Sequence, residues 1–376
     1  VAALGAAGGV PASCGLAATS ATAAVAPPPD PVRRGRPLVF PRDHGAHPGA
    51  RIEWWYVTGF CGPFAAPTHG VQVTFFRSAT GLAGPGMPGA ASRFAPRQLL
   101  FAHAAVTDLA RAEHHHADRA ARWNGDPAAA AAAAALDTTR VHLARWRLDR
   151  EGEGHDRLTA RITGERLAFT MQLRRTQPLL LQGDAGFSRK GPLEAQASHY
   201  YSEPQLALEL ALDRAGGRPA QRLAGRAWLD HEWSDELMPP EAVGWDWIGI
   251  HLEGGGALTA FRLRAADGRS VWAGGSVRAG PAAAATAFDD AGVRWTPVRT
   301  WASPATGARY PVQWRVATPA GTFGIRALLD AQELDSRGST GTVYWEGIAE
   351  ATDDAGRRVG VGYLEMTGYT SRLTLG

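Results

Sequence analysis

Hydrophobic and polar positions alternate with a period of two along much of the chain. Leu167, Phe169, Met171 and Leu173 interleave with Arg166, Thr170, Gln172 and Arg174, the pattern of a strand with one buried face. The same alternation runs through "GVQVTFF" (70–76), "QLALELA" (205–211), "WDWIGIHL" (245–252), "YPVQWRV" (310–316) and "GTVYWEGI" (341–348). Glycine-rich turns punctuate these segments, at Gly254-Gly255-Gly256, Asp267-Gly268 and Asp354-Ala355-Gly356; such clusters end strands. Only the alanine run at 128–135 has helix-like composition, and after Asn124-Gly125-Asp126-Pro127 it reads equally as a loop. The pattern predicts an all-β chain.

A weak internal repeat organises it. Gly225-Arg226-Ala227-Trp228-Leu229-Asp230 resembles Gly360-Val361-Gly362-Tyr363-Leu364-Glu365, each reading glycine, any residue, small, aromatic, leucine, acid. "EWWYVTG" (53–59) has a looser counterpart in "GWDWIGI" (244–250). Two consecutive antiparallel β-barrels, meeting near 237–243, account for both matches. The expected boundaries are residues 31–238 for the first barrel and 239–376 for the second. Residues 1–30 form an export signal-like or disordered segment. Barrels of this kind close their sheet edges and leave a hollow for an apolar ligand.

Composition narrows the function. The formal net charge is +3, from 39 basic and 36 acidic residues, and no basic cluster alternates with aromatics as a nucleic-acid groove requires. No nucleic-acid partner is expected. The 13 tryptophans suit a cavity wall as well as a core. Residues 1–26 are uncharged and small, ending Ala24-Val25-Ala26 before three prolines, which resembles a signal-peptidase site. They point to a periplasmic or secreted protein. Pro11-Ala12-Ser13 is a poor lead-in for lipid attachment at Cys14. No apolar run approaches the ~20 residues of a transmembrane helix. Loss of the segment would leave Cys61 without a disulfide partner in the chain.

"GRAWLDHEWSDELMPP" (225–240) carries the densest chemistry. His231-Glu232-Trp233-Ser234-Asp235 begins like the zinc motif H-E-x-x-H, but Asp235 stands where the second histidine belongs, and the motif needs a helix. His114-His115-His116 would point to alternate faces of a strand. No metal and no cofactor are therefore expected. No G-x-S-x-G elbow or phosphate-binding glycine loop is present. On a strand, Trp228, Asp230 and Glu232 share one face, and Leu229, His231 and Trp233 the other. With the Trp228 face turned into a barrel, Asp230 would project among aromatic rings. Desolvation would raise its pKa and make it a proton donor near neutrality. Trp245-Asp246-Trp247 repeats the juxtaposition, and indole faces stabilise a cationic centre. The alternative is that Asp230 and His231 simply tie a strand end to its neighbour.

Several blocks together resemble a known family: "RIEWWYVTGF" (51–60), "FAHAAVTDL" (101–109), "LQGDAGFSRKGP" (181–192), "SHYYSEPQL" (198–206), "GRAWLDHEWSDE" (225–236), "GWDWIGIHL" (244–252), "ATGARYPVQWRV" (305–316) and "GYLEMTGY" (362–369). They resemble the lipocalin-like AttH family, related to carotenoid 1,2-hydratases (hydroxyneurosporene synthases) and described as predicted secreted hydrolases. The resemblance spans roughly residues 36–372 and implies two tandem lipocalin-like barrels. For the hydratase branch it implies cofactor-free, acid-catalysed addition of water to an isoprenoid-like double bond. The acid position of that branch matches Asp230, with Trp228 the preceding aromatic. Carotenoid hydratases read D-H-N-W where this chain reads D-H-E-W, which puts a carotenoid substrate in question.

Three functions follow as expectations. The first is a hydratase-type lyase in which Asp230 protonates an alkene and Trp228, Trp245 and Trp247 flank the cation. There His231 or Tyr201 would orient Asp230 or the water, with Glu232 alongside. Trp233, Asp246, Tyr200 and Trp55 complete the candidate substrate-binding set. The second is a periplasmic carrier of a lipid-like molecule serving an ABC exporter. The third is a hydrolase, for which the chain offers no evident nucleophile. Arg189 and Lys190 read as a solvated hairpin or a clamp for a polar ligand end, with His199 in the same set of family blocks. Glu53 reads as a core residue paired to an arginine.

Overall fold

The computed structural model describes residues 31–81, 96–213 and 219–373. The export-like segment and Cys14 lie outside the described residues. Two antiparallel sheets account for the strands. The first comprises β1 (Ile52–Cys61), β2 (His69–Ala79), β3 (Gln98–Asp108), β4 (Glu113–Trp123), β5 (Ala132–Ala134), β6 (Arg140–Leu143), β7 (Trp146–Glu151), β8 (Arg157–Ile162), β9 (Phe169–Arg174), β10 (Leu180–Leu181), β11 (Phe187–Arg189), β12 (Ala197–Leu212) and β13 (Gln221–Ser234). The second comprises β14 (Ala242–Leu252), β15 (Ala257–Ala265), β16 (Ser270–Arg278), β17 (Ala285–Phe288), β18 (Arg294–Ala302), β19 (Arg309–Thr318), β20 (Gly321–Ala327), β21 (Glu333–Ser336), β22 (Thr342–Thr352) and β23 (Arg358–Met366). The first sheet runs β4-β3-β2-β1-β13-β12-β9-β8-β7-β6-β5, and β4 returns against β5 and β6, so it is nearly closed. The second runs β17-β16-β15-β14-β23-β22-β20-β19-β18. The fold is all-β and lipocalin-like.

The two orders are equivalent. β1, β13 and β12 sit in the first sheet as β14, β23 and β22 sit in the second. The alternation explains the outer strands: in β9, Phe169, Met171 and Leu173 are buried while Gln172 and Arg174 are exposed. The central strands differ, because β1 and the second half of β13 are buried on both faces. One face closes the first core with Trp55, Val57, Leu229 and Trp233. The other packs Tyr56, Phe60 and Trp228 onto Trp247, Phe261 and Tyr363 of the second sheet. This double burial is why "EWWYVTGF" reads as a continuous aromatic run.

Two glycines permit the close approach. A Cβ on Gly225 would lie 1.8 Å from the Phe60 carbonyl oxygen, so β1 and β13 meet at full contact only because that atom is missing. One on Gly249 would strike the Trp247 ring at 2.3 Å, so Gly249 lets the indole lie over its own strand. Polar links also tie the halves: Gln205 Nε2 donates to the Gly256 carbonyl at 2.6 Å and Ser276 Oγ to Gln182 Oε1 at 2.7 Å. The alanine run forms the short strand β5 and no helix, its small side chains packing flat in the first core.

Candidate functional site

Register sets the site. Across β1, β13 and β12, Tyr56 faces Asp230 and Asp230 faces Ser202, while Trp54 faces Glu232 and Glu232 faces Tyr200. Alternation puts all six on one side of the first sheet. That side looks onto the second sheet. The sequence-based expectation that the Trp228 face turns into a barrel is therefore corrected: Trp228 and Asp230 lie between the two sheets, because the barrel interior is filled by the opposite face of the same strands.

A narrow cavity opens there, with about 650 Å3 of space only when the open solvent at its mouth is counted. Trp54, Tyr56, Phe76, Tyr200, Trp245, Trp247, Phe261 and Tyr344 form its aromatic wall, and Asp230, Glu232, Glu346, Glu365 and Lys190 its charged groups. Asp230 is 2% exposed. Its Oδ1 accepts hydrogen bonds from Ser202 Oγ at 2.5 Å and Trp228 Nε1 at 2.6 Å, and its Oδ2 from the Tyr200 hydroxyl at 2.6 Å. Burial pushes the carboxyl up to about 7; the three donors pull it down and the Glu232 charge adds to the rise. At neutrality this group exists both charged and uncharged, the condition a proton donor needs.

The structure divides the other sequence-nominated residues. Tyr200, Glu232, Trp245 and Trp247 join Asp230 in the cavity wall. His231, Tyr201, Trp55 and Trp233 do not, since they point from the opposite face into the first core. His231 Nε2 lies 2.9 Å from Glu53 Oε1, and its Nδ1 lies 3.2 Å from the Tyr201 hydroxyl. Burial pushes its pKa down to about 4 against the pull of Glu53. Tyr201 also meets His44 Nδ1 at 2.7 Å. Neither His231 nor Tyr201 is placed to orient Asp230. Asp246 turns into the second sheet's own core, accepting from Arg262 Nε at 2.7 Å and the Tyr369 hydroxyl at 2.8 Å. His199 is buried beside Trp233, their rings 5.5 Å apart.

His47, Glu53 and His231 bring three donor atoms within 4.8 Å of one another. The set fits an ion-pair network. Arg77 Nε donates to Glu53 Oε2 at 2.8 Å, and Glu53 Oε1 takes both imidazoles. Burial alone would raise the Glu53 carboxyl, but Arg77 and the two histidines hold it well below its usual range. Asp235 stands apart, accepting from the Val32 and Arg51 amides. His115 is exposed beside Glu113 at 3.4 Å. Cys61 is buried, its thiol pushed up to about 12.

Sequence reasoning nominated neither Glu346 nor Glu365 for the wall, and it left Lys190 between a solvated hairpin and a clamp for a polar ligand end. Lys190 is 5% exposed. Its Nζ lies 2.9 Å from Glu232 Oε1 and sits over the rings of Phe261 (4.0 Å) and Tyr200 (4.8 Å). Arg189 turns outward, capping the Gly191 and Pro192 carbonyls. Glu346 and Glu365 face each other across β22 and β23. The repeat held the signal for Glu365. It aligns Glu365 with Asp230 and Trp247 with Tyr56, and the strands pair Tyr56 with Asp230 just as they pair Trp247 with Glu365.

A paired lipocalin-like architecture with a carboxyl-bearing cavity between its halves defines the class. Residues 31–369 match the AttH-like family model, and the chain belongs to that family. It is 44% identical to a crystal structure from Nitrosomonas europaea described as AttH, covering 90% of this chain and 99% of that one at a TM-score of 0.79. Kievitone hydratase from Nectria haematococca shares the fold at a TM-score of 0.64, with 15% identity over 91% of this chain and 96% of that one. CghA, solved with Sch210972, follows at 0.51, with 13% identity over 85% and 89%. No curated protein matches the chain. No helix among the described residues is long and apolar enough to cross a membrane.

Proposed function

We propose that the chain is a cofactor-independent hydratase-type lyase acting on an apolar, isoprenoid-like alkene in the cavity between the sheets. The observation that carries this is Asp230: a fully buried carboxyl, poised near neutrality, at the wall of an aromatic hollow. The proton on its carboxyl passes to one alkene carbon, leaving a tertiary cation at the other. Tyr56, Trp245 and Trp247 line the space where that charge develops, and aromatic faces stabilise a desolvated cation by about 2 kcal/mol or more. Water adds to the cation and its surplus proton returns to the Asp230 carboxylate, closing the cycle. Tyr200, Ser202 and Trp228 act as positioning residues through their hydrogen bonds to Asp230.

The Lys190–Glu232 pair adds a polar patch to one side of the wall. It favours an alkene carrying a hydroxyl or carbonyl group over a pure hydrocarbon. The fold shared with kievitone hydratase supports the reaction class, and the D-H-E-W departure argues against a carotenoid.

The test is product analysis in isotopically labelled water. Purified protein is incubated with farnesol, geranylgeraniol and a bacterial lipid extract, and products are read by mass spectrometry. A labelled hydroxyl is expected from the wild type. Asp230→Asn, still folded, should lose turnover by about 10²–10⁴-fold, the range general acid catalysis supplies. Undiminished turnover in that variant overturns the assignment. Ligand retained by both proteins without product makes the chain a carrier, the role expected beside an exporter.

A further inference from the structure

The acid pair on the second sheet is not used by the scheme above. Glu346 is buried and Glu365, directly across from it, is half-buried, and no lysine or arginine pairs with either among the described residues. Glu365 accepts one hydrogen bond, from Trp245 Nε1 at 3.0 Å. Glu346 Oε1 and the Tyr56 hydroxyl are both buried without a regular hydrogen bond, and Tyr56 lies near enough to pull the Glu346 carboxyl down; Glu346 is 3% exposed and lines the cavity. The other carboxylates of the wall are satisfied: Asp230 by three donors, Glu232 by Lys190 and Ser198.

Glu365 also stands at a junction. A second cleft, about 850 Å3 with the open solvent at its mouth, shares Trp54, Phe76, Trp245, Tyr344 and Glu365 with the first and adds the apolar Ile52, Leu99, Phe101 and Leu373 beside polar groups that include Arg77 and His103. An apolar tail would lie there with its head against the acid pair. The rings of the same cavity already accept one ammonium group, that of Lys190.

We propose that Glu346 and Glu365 form a binding site for a hydrophobic ammonium ion, whose head lies between the two carboxyls and the neighbouring rings and whose tail fills the second cleft. The inference rests on the cavity and holds whether or not Asp230 turns over an alkene. Empty, the pair keeps its protons. Burial and the charges of Asp230, Glu232 and Asp246 push Glu365 up to about 8, against the Trp245 hydrogen bond, and burial with the Glu365 charge pushes Glu346 well above its usual range, against the pull of the Tyr56 hydroxyl. An arriving cation favours the carboxylate, so binding expels a proton. The groups around the pair are Asp230 and Glu232 on β13, Tyr200 on β12, Lys190 after β11, Tyr56 on β1, Arg77 on β2, His103 on β3, Asp246 and Trp245 on β14 and Tyr344 on β22. Arg77 is committed to Glu53 and Asp246 to Arg262. Burial holds His103 down at about 3, so it is neutral throughout the tested range.

The experiment is calorimetric titration of the whole chain with decyltrimethylammonium below its micelle-forming concentration, in two buffers of different ionisation enthalpy. Decanol and decanoate serve as the uncharged and anionic controls. The ammonium ion should bind once per chain, at least tenfold more tightly than either control. It should release close to one proton at pH 7 and bind more tightly at pH 8 than at pH 6. Glu365→Gln and, separately, Glu346→Gln should lose that tenfold preference and the proton release while keeping decanol affinity. Equal affinity for decanol, absence of ammonium binding, or binding that neither variant weakens overturns the proposal. A variant that fails to fold leaves the wild-type proton release and pH dependence to decide.

Discussion

Asp230 owes its character to opposed forces that differ in size. Full burial disfavours the carboxylate, and the Ser202, Tyr200 and Trp228 donors recover part of the loss. Removing one donor should tip the balance. Tyr200→Phe is expected to raise the Asp230 midpoint, measured by carboxyl NMR, by about 1–2 units, since a hydrogen bond to a charged group is worth about 1.5–3 kcal/mol. A midpoint that stays put or falls would mean that the hydroxyl does not stabilise the anion. The adjacent residue shows how face decides role. His231 shares the backbone of Asp230 yet belongs to another network, with Glu53 and Tyr201. Its place on the opposite face was legible from strand periodicity, and the error lay in still pairing it with Asp230. The burial of Lys190 was not legible, because a Ser-Arg-Lys-Gly stretch carries no mark of the rings that fold over it.

At the scale of elements, alternation located the strands, and the Gly-x-small-aromatic-Leu-acid repeat located equivalent ones. β13 and β23 are each flanked by their half's Trp-rich opening strand and a long preceding strand. What the repeat could not convey is which face of β13 meets which neighbour. A strand buried on one side alternates; one buried on both sides reads as a run of large residues, and nothing in "AWLDHEW" says which hollow lies where. Pairing settles it. Trp54 and Trp245, equivalent in the repeat, approach with ring centroids 6.4 Å apart and planes 16° apart, and Tyr56 meets Trp247 edge to face at 5.4 Å. The cavity is built from like strands of the two halves turned toward each other. This is also why Glu365, in the position of Asp230, faces the same space.

The whole molecule carries these groups as a linkage between pH and stability. Asp230 and Glu365 hold folded-state values of about 7 and about 8, above the 3.8 and 4.5 of the free groups. Between those limits the folded chain binds more protons than the unfolded one, so their contribution falls as pH rises. Buried and half-buried histidines act the other way. His103, His114, His231 and His251 are held down at about 3 to 4, and their contribution grows with pH but is complete above 6.5. The melting temperature should therefore peak near pH 6 and decline toward pH 8, with a slope of about 1.4 kcal/mol per pH unit for each fully titrating group. Thermal unfolding across pH 5–9 checks this. Asp230→Asn should flatten the decline, and a wild-type curve rising from pH 6.5 to 8 would contradict the raised values of Asp230, Glu365 and Glu346.

The most direct measurement is the titration of one carboxyl. With carbon-13-labelled aspartate and the Asp230→Asn variant to assign the signal, the account predicts that the Asp230 side-chain resonance changes state with a midpoint near pH 7. A midpoint close to 4, the value of an ordinary exposed aspartate, would mean that residue 230 is a plain anion at neutrality, with no proton to give to a double bond.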